Sequence, residues 1–398
     1  MSGQKAMLKV YKKYGKSIPA RIKAGTSSNG SVTATPSKGD QEYDAQVVIG
    51  GQTFNLDFDT GSSDLWVYST ELDPTSQAGH SVYNPANSTT SEQIDDATWS
   101  ITYGDASTAS GDVYTDTVTI GGVTVAKQAV ELASNVSTEF LSDFSNDGLV
   151  GLAFDNLNNV QPNPVKTFFT NLAPTLSLPL FTANLNHKTP GSYDFGFIDP
   201  SKYTGSLTTL PADSSKGFWG INCTGYQIGG DGTALKNITV DGIVDTGTTL
   251  LLVPQQYVDG YYAQVPGAKN DPSSGGYIFP CSTQLPTLHL GFGDYVAHIT
   301  SALLNFGPLD SNNPSGSCFG SFQTLNLPGG VAGSPSAIFG DVFLKSTFVV
   351  FTAPPNGTAT LGFAQKVSAT DPSGSGNGGG WTSLVAIIRA ILGKTINF

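Results

Sequence analysis

Phe58-Asp59-Thr60-Gly61-Ser62-Ser63 decides the reading of this 398-residue chain, because the same pattern returns as Val244-Asp245-Thr246-Gly247-Thr248-Thr249. Both copies run apolar, Asp, Thr, Gly, then two hydroxyl residues. A second element follows each copy: Leu149-Val150-Gly151-Leu152 reaches Gly151 at 92 residues after Asp59, and Ile338-Phe339-Gly340-Asp341 reaches Gly340 at 95 after Asp245. Two half-chains with the same order of elements imply a duplicated lobe. A single Asp-Thr-Gly is an ordinary turn, expected by chance in roughly one chain in twenty of this length. Its recurrence in matched surroundings sets that reading aside.

The chemistry follows from the residue types. Each Asp ends a run of β-forming residues, and the glycine after it lets the turn pass close to the carboxylate with its N–H available. The Ser62 or Thr248 hydroxyl can donate to a carboxylate oxygen, and Thr60 and Thr246 belong to the same support. Two such carboxyls brought together cannot both ionise cheaply, so one keeps a proton and the pair titrates as a unit. An ionised and a protonated carboxyl side by side are a general base and a general acid for adding water to an amide.

Outward from the repeat, residues from about Val47 to Phe363 form short alternating or apolar runs separated by Gly, Asn, Asp, Ser and Pro. Examples are Phe54-Asn55-Leu56-Asp57-Phe58 and Thr347-Phe348-Val349-Val350-Phe351. These predict an all-β fold, with short helices around Val165–Asn171 and Gln255–Gln264. Beyond Ala364 the composition shifts to a Gly/Ser linker over 371–380. The formal GxGxxG at Gly374 follows no strand, so it carries no dinucleotide site. Leu384, Ile387, Ile388 and Ile391 then fall on one face of a short helix, too short to span a bilayer.

The formal charge of −12 is unevenly distributed. Residues 1–27 carry seven cations and no acid, a balance of +7, whereas residues 28–365 hold nine lysines, no arginine and 30 acids, a balance of −21. An acidic body repels phosphate, so nucleic acid is not an expected partner. The basic arm suits a segment that binds its own chain. Cys281 and Cys318 could close a loop worth roughly 3–4 kcal/mol in an oxidising compartment, leaving Cys223 as a small buried apolar residue. Six N-x-S/T sequons begin at Asn29, Asn87, Asn135, Asn222, Asn237 and Asn356 and point to secretion. No signal peptide is read at Met1, where basic residues stand without a long apolar stretch.

These residues resemble the pepsin-like aspartic endopeptidases, in particular secreted fungal enzymes of the aspergillopepsin and penicillopepsin type, over about residues 40–364. The resemblance rests on Asp57-Phe58-Asp59-Thr60-Gly61-Ser62-Ser63-Asp64-Leu65-Trp66-Val67, Asp147-Gly148-Leu149-Val150-Gly151-Leu152-Ala153-Phe154, Ile243-Val244-Asp245-Thr246-Gly247-Thr248-Thr249 and Ile338-Phe339-Gly340-Asp341-Val342-Phe343-Leu344. It implies two β lobes related by a pseudo-twofold axis, a central cleft for an extended polypeptide, and Asp59 and Asp245 as the catalytic pair, whose shared titration is known for aspartic proteases. Trp99-Ser100-Ile101-Thr102-Tyr103-Gly104-Asp105 is similar to the flap hairpin that closes over substrate. Tyr103 would be the flap tyrosine and Trp66 its indole support. Gly61, Gly104, Asp105, Ser107, Gly247 and Thr248 are further expected substrate contacts. Asp105, with Asp57 on the same strand face as Asp59, would let the primary pocket accept Lys beside large apolar side chains. The family more often has Gly where this flap has Ala106.

Tyr11-Lys12-Lys13-Tyr14-Gly15-Lys16 resembles the end of the family's inhibitory prosegment, with Lys13-Tyr14 over the two carboxylates. The expected organisation is a prosegment at 1–34, one lobe at 35–208, a second at 209–365 and a tail at 366–398, in a monomer that needs no cofactor. The segment would be shed in acid by a cut between about Thr26 and Lys38. A catalytically silent binding protein on the same fold is the competing expectation, as fold does not fix function. His80, His187, His289 and His298 show no HExxH and no close pairing, so no metal is expected; the absence of GxSxG disfavours a serine hydrolase.

Overall fold

In the computed structural model the described residues are 28–325, 335–355 and 357–367. Lys13, Tyr14 and the rest of the basic arm to residue 27, together with the linker and apolar tail from 368, lie outside them.

The strand Gln52–Asp59 buries its C-terminal half and delivers Asp59 at its end. It pairs antiparallel with Glu42–Ile49 and parallel with Gly148–Gly151, with Asp59 opposite Gly151. Leu65–Tyr68, just past the turn, pairs antiparallel with the other edge of Gly148–Gly151. The second half repeats this arrangement. Lys236–Val244 pairs parallel with Ala337–Phe339, which pairs antiparallel with Leu251–Val253. Each apolar-apolar-Gly element is therefore a strand inserted beside its Asp strand, just behind the turn. The glycines allow that approach: a Cβ at Gly151 would lie 2.5 Å from Asp64 N, and one at Gly340 2.1 Å from Thr248 O.

Phe58, Val150, Val244 and Phe339 are fully buried in one core that reaches into both halves. Burying one such side chain contributes about 1.5–3 kcal/mol, so the strands that carry the two Asp residues are firmly anchored. The second lobe adds a seven-stranded sheet and a four-stranded sheet. Cys281 and Cys318 are joined across the latter. Cys223 is free and buried, and burial pushes its thiol up to about 11, which leaves it unreactive. The two expected helices appear as Phe168–Leu172 and Gln255–Tyr262.

A sheet between the halves departs from the sequence expectation. Gly30–Ser37 pairs with Thr189–Phe195, and Leu180–Asn186 pairs with Thr347–Thr352. Residues 30–34, placed by sequence in the prosegment, are thus the first part of a strand with Val32 and Ala34 buried. The expected junction at 208/209 also falls inside a strand, Tyr203–Pro211, paired with Thr360–Lys366. Local pattern misses both points because the partners are more than 100 residues away in sequence.

Candidate active site

The two Asp-Thr-Gly turns meet through their threonines. Thr60 N donates to Thr246 Oγ1 at 3.0 Å, and Thr246 N donates to Thr60 Oγ1 at 3.0 Å. Each hydroxyl donates in turn to the opposite strand, Thr60 Oγ1 to Val244 O at 2.9 Å and Thr246 Oγ1 to Phe58 O at 2.5 Å. These four buried bonds fix one turn against the other. Thr60 and Thr246 therefore support the dyad by joining the lobes and make no bond to its carboxylates.

Asp59 and Asp245 are each 6% exposed. Gly61 N donates to Asp59 Oδ1 at 2.7 Å, and Gly247 N donates to Asp245 Oδ1 at 3.0 Å. Each glycine also faces the other lobe's carboxyl. A Cβ on Gly61 would lie 2.6 Å from Asp245 Oδ1, and one on Gly247 2.3 Å from Asp59 Oδ1. The symmetry breaks at the next residue. Thr248 Oγ1 donates to Asp245 Oδ2 at 2.7 Å, whereas Ser62 Oγ is buried without a hydrogen-bond partner, although it lies near enough to Asp59 to favour its ionised form. Burial first, and then the charge of Asp245, push Asp59 well above the ordinary carboxylate range. The pair thus holds a proton where an isolated aspartate would have lost it.

The hairpin of Glu92–Thr102 and Thr108–Ile120 carries the flap turn. Trp66 Nε1 donates to Tyr103 OH at 2.8 Å, and Phe140 packs edge-on against both rings. Tyr103 is held un-ionised by burial and by Asp59. Asp105 Oδ1 accepts from Ser107 N at 3.0 Å and Ser107 Oγ at 2.7 Å, which places both residues at the tip of the flap and spends neither bond on Oδ2. Gly104 meets open space, and Ala106 sits at φ +68°, where glycine is unstrained. Trp66→Phe removes the indole donor and also leaves a cavity among Tyr68, Trp99 and Phe140, against which the buried indole packs. A net loss of about 1 kcal/mol in flap positioning should lower kcat/KM about fivefold, measured with a chromogenic peptide, and the cavity should lower the melting temperature as well.

Behind the dyad, Asp57 lies directly across from Asp44 on the neighbouring strand. Both are buried, and Oδ1 of each lacks a hydrogen-bond partner, as do both carboxylate oxygens of Asp341. Lys38 is engaged by Glu42 at 2.7 Å and by Asp143. Burial and then the neighbouring acids raise Asp57 well above the ordinary range; burial chiefly pushes Asp44 up to about 7. A carboxyl whose folded value is raised stabilises the fold in its protonated form. That contribution is complete below the unfolded value of about 4 and is lost as pH rises through about 7. Asp44→Asn is therefore expected to leave the melting temperature at about pH 3 unchanged and to raise it at about pH 7; a variant that melts like the wild type at both would contradict this. Asp44 escaped the sequence reading because only strand register places it opposite Asp57.

One further correction concerns histidine. The sequence suggests no close pairing, yet the hairpin of Leu288–Phe292 and Tyr295–Ile299 sets His289 opposite His298, with their Nδ1 atoms 2.8 Å apart. Nine residues of separation conceal a cross-strand pair. Among the described residues no three of His, Cys, Asp and Glu gather as a metal site.

A bilobal β fold with two Asp-Thr-Gly turns locked face to face beneath a tyrosine-tipped flap defines the pepsin-like aspartic endopeptidases. Residues 42–366 match the family model of the eukaryotic aspartyl proteases, and the chain belongs to that family. It is 48% identical over 358 residues to aspergillopepsin-1 of Aspergillus oryzae, covering 90% of this chain and 87% of the relative. Penicillopepsin-2 of Penicillium janthinellum is 49% identical over 352 residues, covering 88% and 85%. The crystal structure of the aspartic proteinase from Irpex lacteus aligns with TM-score 0.70 and 27% identity over 87% of this chain and all of that one. The chain is thus an aspartic-type endopeptidase, a hydrolase.

Proposed function

We propose that this chain is a secreted acid endopeptidase that cleaves internal bonds of polypeptides after large apolar residues and after Lys, acting as a monomer without a cofactor. The observation that carries the reading is the shared buried site of Asp59 and Asp245, where burial and the neighbouring Asp245 push Asp59 above the ordinary carboxylate range. The ionised member takes a proton from a water between the pair as that water attacks the scissile carbonyl. The protonated member donates to the carbonyl oxygen, giving a tetrahedral diol. As the diol collapses, the carboxyl that took the water's proton passes it to the departing amine while the other carboxylate takes a proton from one diol hydroxyl, so the pair regains its single proton and no covalent enzyme intermediate forms. Tyr103 and Ser107 line the substrate side of the flap, and the Asp105 side chain receives a Lys ammonium. Exposed sequon residues Asn87, Asn135, Asn222 and Asn237 and the Cys281–Cys318 bond support an extracellular, oxidising setting.

The cationic arm, with Lys13 and Tyr14 as its blocking pair, docks on the acidic body near neutral pH and loosens as carboxylates protonate. The strand that begins at Gly30 supports a maturation cut in the part of the expected stretch from Thr26 to Lys38 that precedes it. Digestion of a denatured protein at about pH 3–4, with and without a statine-type inhibitor, tests the activity. Inhibitor-sensitive cleavage is expected; its absence from the matured form would favour the catalytically silent binding protein. Asp105→Ser should reduce cleavage after Lys at least tenfold more than cleavage after Leu, and equal losses would remove the specificity assignment.

A further inference from the structure

Glu131 plays no part in peptide hydrolysis as derived above, yet it is 1% exposed and close to the flap support. It lies on the strand Val123–Val136, in register with Trp66 on the neighbouring strand. Ala129 and Ala133, two residues to either side of it, belong to the apolar cluster of Trp66, Trp99 and Val113. A lone ionised carboxyl is costly in such surroundings, so its partners decide its state.

Those partners are short of hydrogen. Asn158 Nδ2 has two hydrogens and stands within reach of three acceptors, Glu131 Oε1 at 2.9 Å, Asp64 Oδ1 at 3.1 Å and Ser63 O at 3.2 Å. Asp64, fully buried, is well supplied: Oδ1 also accepts from Asn159 N at 2.9 Å, and Oδ2 accepts from Asn159 Nδ2 at 2.7 Å. Glu131 Oε2 is buried with no N–H or O–H to meet it. The two carboxyls come within hydrogen-bond reach of each other, a contact that two ionised carboxylates cannot use. Among the described residues no cation acts on either one. The count balances with one proton, and Glu131 is the member with an oxygen free to carry it.

We propose that Glu131 is a positioning residue whose carboxyl hydrogen bonds to Asp64 and so ties the catalytic turn to the strand beneath the flap. Asp64 closes the turn that Asp59 opens: its O accepts from Gly151 N at 2.8 Å, and Gly151 is the residue paired with Asp59. Leu152 N in turn donates to Asp59 O at 2.7 Å. On the other side, Glu131 is in register with the indole that donates to Tyr103 OH, and Asp59, Asp64 and Glu131 all act by charge on that hydroxyl. One hydrogen therefore links the catalytic turn to the support of the flap. Burial raises Glu131 well above the ordinary carboxylate range, and the Asp64 charge adds to this. Burial raises Asp64 as well, but the Asn159 donors and the bond from Glu131 favour its ionised form. The proposal rests on Asp59 as a catalytic carboxyl, which Asp59→Asn tests without touching Glu131.

The test compares Glu131→Gln, Glu131→Leu and Asp64→Asn in the full chain by peptide kinetics in acid, thermal melting and infrared difference spectroscopy. The amide of Glu131→Gln keeps an oxygen for Asn158 and places an N–H where the acid carries its hydrogen, so kcat and KM should stay within about twofold of the wild type. Glu131→Leu removes both bonds and should lower kcat about fivefold or more, with KM within about twofold. Asp64→Asn turns an NH2 toward the Asn159 donors, so it should be impaired where Glu131→Gln is not. At about pH 6 an ordinary glutamate is ionised, so the wild-type spectrum should hold one protonated-carboxyl C=O band, shifted in D2O, that Glu131→Gln lacks. Absence of that difference overturns the proposal even if Glu131→Leu fails to fold. So does a folded Glu131→Leu enzyme with the wild-type kcat, a Glu131→Gln enzyme as slow as Glu131→Leu, or an Asp64→Asn enzyme that stays fully active while Glu131→Gln does not.

Discussion

Asp245→Asn is expected to lower kcat/KM by at least about 10³–10⁴-fold, with the melting temperature in acid little changed. The amide oxygen can still accept from Gly247 N, and the NH2 that takes the place of Oδ2 can donate to Thr248 Oγ1 once that hydroxyl rotates, so the turn keeps its geometry. What disappears is half of the proton relay. An amide neither removes a proton from water nor returns one to the leaving amine. The change also deprives Asp59 of the neighbouring charge that helps to hold its proton, so Asp59 should ionise at lower pH. Asp59→Asn should be equally inactive for the mirror reason. Steady-state kinetics on a peptide at acid pH, with a parallel thermal melt, check both. Residual activity within tenfold of the wild type would exclude the paired-carboxyl mechanism. The same variant examines maturation: if it still lost its basic arm at low pH with no other protease present, self-processing would be wrong.

Gly247→Ala is the second large effect, about a hundredfold or more in kcat. The new Cβ would stand 2.3 Å from Asp59 Oδ1 and 2.5 Å from its Cγ, far inside van der Waals contact. Something must move by about an ångström, and the backbone has little freedom because the two threonines fix the turns to each other. The carboxyl of Asp59 is what gives way. A displacement of that size at a reacting group costs on the order of 10²-fold in rate. Gly61→Ala should act likewise through Asp245, at 2.6 Å. Gly260→Ala is the control, since a Cβ there meets nothing within 4 Å and alanine favours a helix. A less than fivefold loss in Gly247→Ala would mean that the turns are more compliant than their hydrogen bonds imply.

The proposed catalytic pair can be read in the sequence because its information is local. A strand end, an aspartate, and a glycine that lets the turn close can be read within six residues, and finding the pattern twice supplies the symmetry. The flap pair Tyr103 and Trp66 came through resemblance, and the structure joins them by one hydrogen bond. What remained hidden depends on which strands lie side by side. Asp44 faces Asp57, and His289 faces His298, only through register. Residues 30–34 read as the end of a basic arm until Thr189–Phe195 is known to pair with them. The unequal treatment of the two aspartates by Ser62 and Thr248 was also out of reach, since it turns on hydroxyl placement in similar turns.

The reciprocal threonine bonds bear on how the chain becomes an enzyme in time. They join residues 186 apart in sequence, and each turn is completed by atoms from the other half. Contacts of such long range come late, after each lobe has collapsed on its own local pairings. A half-made chain, still emerging or partly unfolded, has one aspartate without its neighbour and a buried hydroxyl without its acceptor. It cannot cut anything, including other copies of itself. Finishing the fold and acquiring the power to hydrolyse a peptide are one event, so a protease able to digest unfolded protein passes through its own unfolded stage unarmed.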